Sequence, residues 1–208
     1  MMKRYVTGAP LETEAVISKT EAAAGAVPYL TKTENGFSCK LDKDDIVYGL
    51  GENVRGMNKR GWVYESCCAD QPNHHEDTKS LYGAHNFLIV SGNKTCFGVF
   101  VDTPGKVRFD VGYTHFDQME ITPKDGDFDL YIIEGDTPDA IVREFRSMIG
   151  RSYIPPKWAF GYGQCRWSYY TSEEVREVAK QHRENNIPLD MIYLDIDYMD
   201  HYKDFTLN

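Results

Sequence analysis

The stretch Met191-Ile-Tyr-Leu-Asp-Ile-Asp197 decides the fold that the sequence predicts for the C-terminal part of the chain. Its nearly continuous apolar character is typical of a parallel strand that is buried on both faces. A second apolar run, Trp158-Ala-Phe-Gly-Tyr-Gly163, begins about thirty residues earlier, which is the length of a β-α-β unit. The crossover in such a unit is right-handed, so we expect two parallel strands whose carboxyl ends lie at the same edge.

The residues between these two runs predict a helix. Thr171 and Glu174 form a capping-box pattern at its start, and Asn185-Asn-Ile-Pro188 ends it. Its buried stripe is predicted to contain Val175, Val178, Ala179 and His182. A strand, a helix and a parallel strand are the repeating unit of a (β/α)8 barrel, whose chemistry lies at the carboxyl ends of the strands. The sequence therefore predicts the first β-α-β unit of such a barrel.

Polar and aromatic residues follow both predicted strands. Trp167 lies in the turn after the first one, where it is either a stacking platform for a ligand ring or part of the core. Alternation along the second strand places Asp195 and Asp197 on one face. Two carboxylates at the end of an apolar strand are costly to bury without a partner. Either at least one of them binds the hydroxyl groups of a sugar or another polar ligand, or both are strand-end acids paired with Lys203 or Arg166.

The first part of the chain contains short apolar runs separated by turn residues. Lys106-Val-Arg-Phe-Asp-Val111 alternates strictly, with apolar residues on one face and charged residues on the other. Asn86-Phe-Leu-Ile-Val90 and Thr95-Cys-Phe-Gly-Val-Phe-Val101 are joined by Ser91-Gly-Asn-Lys94, which predicts a hairpin. Further strands are predicted at Gly36–Leu41, Asp45–Leu50 and Phe128–Ile133. This pattern predicts a mainly β fold that begins with an antiparallel β-sandwich.

A helix is predicted after the last of these strands. Thr137 is its N-cap, Pro138 its first residue and Gly150 its stop. Its apolar face contains Ile141, Phe145, Met148 and Ile149. Arg151-Ser-Tyr-Ile-Pro-Pro156 is then predicted to be extended, because a residue before proline disfavours the helical conformation. We therefore predict a β-sandwich domain at 1–150, followed at 151–208 by a linker and the start of an incomplete barrel.

One polar segment of the predicted sandwich, Asn53–Tyr82, lacks periodicity. A connection of this length without structure of its own is usually functional. Its four consecutive residues His74, His75, Glu76 and Asp77 have poor geometry for a single ion, and no other residues complete a coordination set. We interpret the segment as a solvated loop and predict no metal site and no cofactor.

The composition restricts the class of protein. A net charge of −9 argues against nucleic acid or an anionic membrane as the main partner, since both require clustered Lys and Arg. No apolar run approaches the ~18 residues of a membrane span. Five cysteines, with Cys67 and Cys68 adjacent, predict neither a disulfide framework nor a zinc site. The first residues lack the apolar core of a secretion signal, so the expected location is cytoplasmic. The sequence is compatible with an oligomer.

Several motifs carry a specific resemblance from about Asp45 to the end of the chain. They are Val47-Tyr-Gly-Leu-Gly-Glu52, Leu81-Tyr-Gly-Ala-His-Asn-Phe87, Ile154-Pro-Pro-Lys-Trp-Ala-Phe-Gly161, Ile187–Met199 and Lys203-Asp-Phe-Thr206. In content and order they resemble the α-glucosidases of glycoside hydrolase family 31. The resemblance implies a galactose-mutarotase-like β-sandwich followed by a (β/α)8 catalytic barrel. It also implies that α-linked glucose oligosaccharides are cleaved at their non-reducing ends with retention of configuration.

The resemblance also assigns roles to four residues. Asp195 matches the family residue that hydrogen-bonds the terminal sugar in subsite −1, and Ile196 matches an apolar wall of that pocket. Asp70 corresponds to the acid on a sandwich-domain loop that reaches over the barrel mouth to the same sugar. Trp167 matches the turn after the first barrel strand, which lines the entrance. Cys67-Cys68 departs from the asparagine-containing run that often precedes the loop acid.

The motif expected to contain the catalytic nucleophile does not occur in this sequence. A retaining glycosidase uses two carboxyl groups about 5 Å apart, one as nucleophile and one as acid/base. The resemblance implies that both come from later barrel strands, with the nucleophile in a Trp-x-Asp-Met-Asn-Glu type motif. We therefore assign no catalytic residue within this chain and expect it to be inactive by itself. Two alternatives are a non-catalytic carbohydrate-binding protein and another barrel enzyme that shares only the architecture.

Overall fold

The computed structural model describes every residue from Met1 to Asn208. The chain divides into two units, Met1–Arg151 and Ser152–Asn208, which are described separately below. Neither of its two α-helices has the length and apolar character needed to cross a membrane.

The N-terminal unit contains two five-stranded sheets in which all neighbouring strands are antiparallel. The first sheet has the spatial order β1 (Met2–Thr7), β10 (Phe128–Glu134), β7 (Cys96–Asp102), β6 (Ala84–Ser91) and β4 (Ile46–Gly51). The second has the order β2 (Thr31–Lys32), β3 (Phe37–Lys40), β9 (Gln118–Pro123), β8 (Val107–Val111) and β5 (Trp62–Ser66). The predicted antiparallel β-sandwich is confirmed.

The core of the sandwich lies between the two sheets, because each strand places alternate side chains on the inner face. Val107, Phe109 and Val111 are fully buried, as the alternation of β8 predicts. They join one cluster with Leu130 and Ile132 of the first sheet. The predicted hairpin of β6 and β7 is also confirmed, with Ser91 paired opposite Cys96.

Helix α1 (Pro138–Ile149) covers the outer face of the first sheet. The Thr137 side chain accepts a hydrogen bond from the Ala140 amide at 3.2 Å, as expected for an N-cap. Ile141 and Met148 are completely buried, and the ring of Phe145 stacks on that of Phe87 with centroids 3.9 Å apart. The apolar face predicted from the sequence is therefore the face of α1 that packs against the first sheet.

Four strands were not predicted from the sequence. Two of them, β1 and β2, lie near the N-terminus, and β9 alternates with Met119 and Ile121 on the buried face. The fourth, β5, lies inside the segment that was expected to have no structure of its own, so that expectation is wrong. Because β5 buries the consecutive residues Val63 and Tyr64, it lacks the two-residue period by which a strand is recognised.

Asp110 was predicted to lie on the polar face of β8, but it is buried. Its carboxylate accepts hydrogen bonds from the Tyr113 and Thr114 amides at 3.0 and 3.1 Å, from the Thr114 hydroxyl, and from Arg108 at 3.0 Å. Burial by itself would raise the pKa of Asp110, but these hydrogen bonds outweigh it and lower the pKa. The carboxylate therefore stabilises the turn between β8 and β9.

Replacing Asp110 with Asn is expected to reduce the free energy of unfolding by about 1–3 kcal/mol at neutral pH. Because the pKa of Asp110 is lowered on folding, its contribution is present above the unfolded pKa of about 3.9 and is lost as the pH falls through the folded pKa. Urea unfolding at pH 7 and below pH 4 should show the difference from wild type shrinking at the lower pH. Asp44→Asn, at an exposed position, is the control. A difference that stays constant with pH would contradict the prediction.

The C-terminal unit contains one β-α-β motif. Strand β11 (Gly163–Cys165) pairs in parallel with β12 (Met191–Tyr193), and α2 (Ser172–Glu184) connects them. Short 3-10 helices lie at Lys157–Phe160 and Asp200–Tyr202. The predicted start of a barrel is confirmed. The Thr171 side chain accepts from the Glu174 amide at 3.2 Å, whereas the Glu174 carboxylate accepts from the Tyr170 amide at 2.7 Å rather than from the N-cap itself.

Two strand predictions in this unit are wrong. Trp158–Phe160 lies in a 3-10 helix, held by hydrogen bonds from Ala159 to Pro156 and from Gly161 to Trp158, and the strand begins only at Gly163. The second strand ends at Tyr193 instead of Asp197, because Asp195 has a φ of 62°, which a strand cannot contain. The residues of β12 are half-buried or exposed, so the prediction of a strand buried on both faces is not met in this unit.

Candidate functional site

The loop between β5 and β6, which contains Asp70, has two limbs, residues 65–70 and 79–82, that run side by side. The Glu65 amide donates to the Lys79 carbonyl at 3.0 Å, and the Ala69 amide donates to the Leu81 carbonyl at 2.8 Å. Asp70 therefore follows a residue whose backbone is held by the opposite limb. The loop is anchored at these two points, although most of its residues from Asp70 to Asp77 are exposed, as its polar composition predicts.

Arg55 attaches the outer part of this loop to β5. Its Nε donates to the Glu76 carbonyl at 2.7 Å, and its Nη1 donates to the Val63 carbonyl at 3.1 Å. The guanidinium lies 3.9 Å from the centre of the Trp62 ring, a cation-π contact. These three contacts restrict the outer part of the loop.

The histidines of the loop are used in local turns. His74 Nδ1 lies 3.2 Å from the Gln71 carbonyl, and the His75 amide donates to the Thr78 hydroxyl at 2.8 Å. Nowhere in the chain do three or more His, Cys, Asp or Glu side chains gather in a way that could hold a metal ion.

Asp70 is exposed, and its carboxylate has one protein partner. The Tyr82 hydroxyl donates to Asp70 Oδ1 at 2.9 Å. This hydrogen bond to a carboxylate raises the pKa of Tyr82, because it stabilises the protonated phenol. The spacing of the two residues in the sequence gave no sign of the pair, which depends on the two limbs of the loop running side by side.

The residues that follow β12 form the candidate site of the C-terminal unit. Asp195 is exposed and takes part in no ion pair and no hydrogen bond of its side chain, while Ile196 beside it is 39% exposed. Asp197 Oδ1 accepts a hydrogen bond from the Tyr202 hydroxyl at 3.0 Å, and its Oδ2 is buried without a partner. The predicted alternative, pairing of these acids with Lys203 or Arg166, is therefore wrong.

Aromatic residues surround the end of β11. Trp167 is 76% exposed, so it is not part of the core of this unit. Gln164, on β11, accepts from the Tyr162 hydroxyl at 2.7 Å and lies 3.3 Å from the Tyr169 hydroxyl. The side chain of Gln164 is thus fixed between two phenols, whereas Trp167 is free to contact a ligand.

A groove of about 420 Å³ lies beside the start of α2. Its lining is mainly apolar and aromatic and includes Tyr169, Tyr170, Val175, Leu194, Asp197 and Leu207. Asp195, Ile196 and Trp167 do not contribute to it. The structure therefore separates the two acids that the sequence placed on one face, with Asp197 in the groove and Asp195 on the open surface.

Two family sequence models match the chain. The Glycosyl hydrolase 31 N-terminal galactose mutarotase-like domain matches residues 12–110, and the Glycosyl hydrolases family 31 TIM-barrel domain matches residues 152–208. The two matches follow the order of the two units.

Curated relatives and solved structures also include α-glucosidases and a GH31 enzyme. The chain is 38% identical over 169 residues to Alpha-glucosidase 2 of Bacillus thermoamyloliquefaciens, covering 81% of this chain and 21% of that protein. It is 30% identical over 166 residues to an Alpha-glucosidase of Saccharolobus solfataricus, covering 80% and 24%. A Flavobacterium johnsoniae GH31 dextranase complexed with glucose superposes with a TM-score of 0.73 at 29% identity, covering 84% of this chain and 21% of that one. The chain therefore spans about a fifth of the length of these proteins.

Proposed function

Because the chain belongs to glycoside hydrolase family 31, we propose that it is the N-terminal part of a retaining, exo-acting α-glucosidase. The whole enzyme would hydrolyse α-glucosidic linkages at the non-reducing ends of small oligosaccharides. Support for the reaction class comes from the names of the relatives, two of which are α-glucosidases that match four fifths of this chain.

The observation that carries the proposal is the position of Asp195. It lies two residues beyond the end of β12, at the edge where a (β/α)8 barrel binds its substrate, and its carboxylate is exposed and unpaired. A carboxylate without a protein partner can accept hydrogen bonds from two sugar hydroxyls, whereas Asp197 has one oxygen bonded to Tyr202 and the other buried. We therefore assign the sugar-binding role to Asp195 and not to Asp197.

Three further residues complete the proposed substrate-binding set. Ile196 presents an apolar side chain beside Asp195, suited to the faces of a sugar ring. Trp167 is exposed after β11 and can stack on a sugar ring. Asp70 is exposed on its anchored loop, with its Oδ2 atom free to accept a sugar hydroxyl. The proposed ligand is thus an α-linked glucose oligosaccharide.

The 208-residue chain by itself is expected not to hydrolyse p-nitrophenyl α-glucoside, because we assign neither the nucleophile nor the acid/base to it. The product of the complete open reading frame is expected to hydrolyse the same substrate if the frame continues into a Trp-x-Asp-Met-Asn-Glu type motif. Release of p-nitrophenol from both purified proteins is the measurement. An Asp195→Asn variant purified in parallel detects a contaminating host glucosidase.

Two results would overturn this proposal. Turnover by the purified 208-residue chain that Asp195→Asn abolishes would place the catalytic groups within it. A complete product that binds maltose or isomaltose without cleaving either sugar would favour the non-catalytic carbohydrate-binding protein.

A further inference from the structure

Tyr82 has no role in the substrate-binding set, yet its hydroxyl is the one protein group bonded to the Asp70 side chain. Both residues are exposed, with Tyr82 at 52%. A hydrogen bond between two exposed side chains is weak unless the backbones that carry them are fixed, because water competes for both groups. The contacts on either side of Tyr82 therefore decide whether the bond persists.

The backbone before Tyr82 is fixed to the backbone before Asp70. The Ala69 amide donates to the Leu81 carbonyl at 2.8 Å, and the Leu81 side chain is buried. Asp70 and Tyr82 each come directly after one of these two bonded residues, so they lie at neighbouring positions on the two limbs. Their side chains meet without either limb having to move.

The backbone after Tyr82 is fixed by the end of β4. The Glu52 amide donates to the Gly83 carbonyl at 2.8 Å, and the Gly83 amide donates to Glu52 Oε2 at 2.8 Å. Gly51 permits this approach: its φ is 74°, and a Cβ atom there would lie 2.8 Å from the Gly83 carbonyl oxygen. Glu52, the last residue of the Val47–Glu52 motif, therefore fixes Tyr82 and Gly83 of the Leu81–Phe87 motif.

We propose that Tyr82 is a positioning residue for Asp70, holding its carboxylate in one rotamer so that the second oxygen is already ordered when the sugar binds. This inference rests on the proposed sugar-binding role of Asp70. A carboxylate ordered in advance loses less conformational entropy on binding, so the benefit should appear in substrate affinity. Tyr82 itself would not contact the reacting atoms.

The first test uses the product of the complete reading frame and p-nitrophenyl α-glucoside. Tyr82→Phe removes only the hydroxyl and is expected to raise KM about 3- to 10-fold with kcat changed less than about 2-fold. The double variant Asp70→Asn with Tyr82→Phe should have the same KM as Asp70→Asn alone, since the tyrosine acts only through the carboxylate. Tyr113→Phe is the matched control, because Tyr113 is exposed and its hydroxyl has no partner.

The second test uses the 208-residue chain and does not depend on activity. The Tyr82 phenol is titrated by NMR in protein carrying 13C-labelled tyrosine, with the Tyr82→Phe variant assigning the signal. Asp70→Asn is expected to lower the pKa of Tyr82, whereas Asp77→Asn in the same loop should leave it unchanged.

The two tests separate the inference from the function on which it rests. An unchanged titration of Tyr82 in Asp70→Asn, or an unchanged KM in Tyr82→Phe, would overturn the positioning role. A coupled titration together with an Asp70→Asn enzyme of wild-type KM would instead overturn the sugar-binding role of Asp70.

Discussion

Replacing Asp195 with Asn is expected to lower kcat/KM of the complete product for an α-glucoside by about 10- to 150-fold. A hydrogen bond to a charged group contributes about 1.5–3 kcal/mol, and each 1.4 kcal/mol corresponds to a factor of about ten. The amide keeps the size of the side chain but removes its charge and replaces one acceptor by a donor. Because Asp195 is exposed and unpaired, its loss should not disturb the fold.

Two comparisons make this experiment specific. Asp44→Asn, at an exposed position in the sandwich unit, should keep wild-type kinetics. Asp197→Asn removes an acceptor for the Tyr202 hydroxyl, so it should lower the thermal stability of the protein more than Asp195→Asn does. A kcat/KM within twofold of wild type for Asp195→Asn would contradict the assignment, as would a greater loss of activity in Asp197→Asn at unchanged stability.

Replacing Leu130 with Ala is expected to reduce the free energy of unfolding of the sandwich by about 2–5 kcal/mol. Leu130 is fully buried in the centre of β10, between Tyr5 of β1 and Val101 of β7. The inner faces of both sheets contribute to the same cluster, so the cavity left by alanine cannot be filled by a local shift. Urea unfolding of the full chain, followed by near-ultraviolet circular dichroism, measures the loss.

The matched control is Leu11→Ala, which removes the same atoms from a side chain that is 67% exposed. This variant should unfold within about 0.5 kcal/mol of wild type. Equal losses in the two variants would show that Leu130 is not part of the cooperative core.

Two patterns that repeat over several residues were interpreted correctly, whereas the stripe of α2 that was predicted to be buried is only half-buried. The strict alternation of Lys106–Val111 predicted which side chains of β8 face the core, and the helical spacing from Ile141 to Ile149 predicted the packed face of α1. Caps were also predicted correctly, since Thr137 and Thr171 bond to amides three residues ahead. These features depend on residues that are neighbours in sequence, where the geometry of the helix or strand fixes which side chains meet.

Predictions that depended on the surroundings of a segment were less accurate. The run at Trp158–Gly163 is apolar, but apolar character alone does not distinguish a strand from a 3-10 helix. The hydrogen bonds from Ala159 to Pro156 and from Gly161 to Trp158 form a 3-10 helix here. The sequence does not predict strand β5, because Val63 and Tyr64 are consecutive and both buried. The strand is defined by its pairing with β8.

The sequence by itself determined the sandwich, the first β-α-β unit and the family, because each follows from local periodicity or from the order of motifs. The tertiary structure alone decided that Asp110 is buried, that Asp195 and Asp197 have different surroundings, and that Tyr82 holds Asp70. Each of these depends on how the backbone turns: the turn after β8, the positive φ of Asp195, and two loop limbs bonded at Ala69 and Leu81. Contacts of this kind join residues whose separation in sequence carries no repeating signal, so they appear only when the chain is folded.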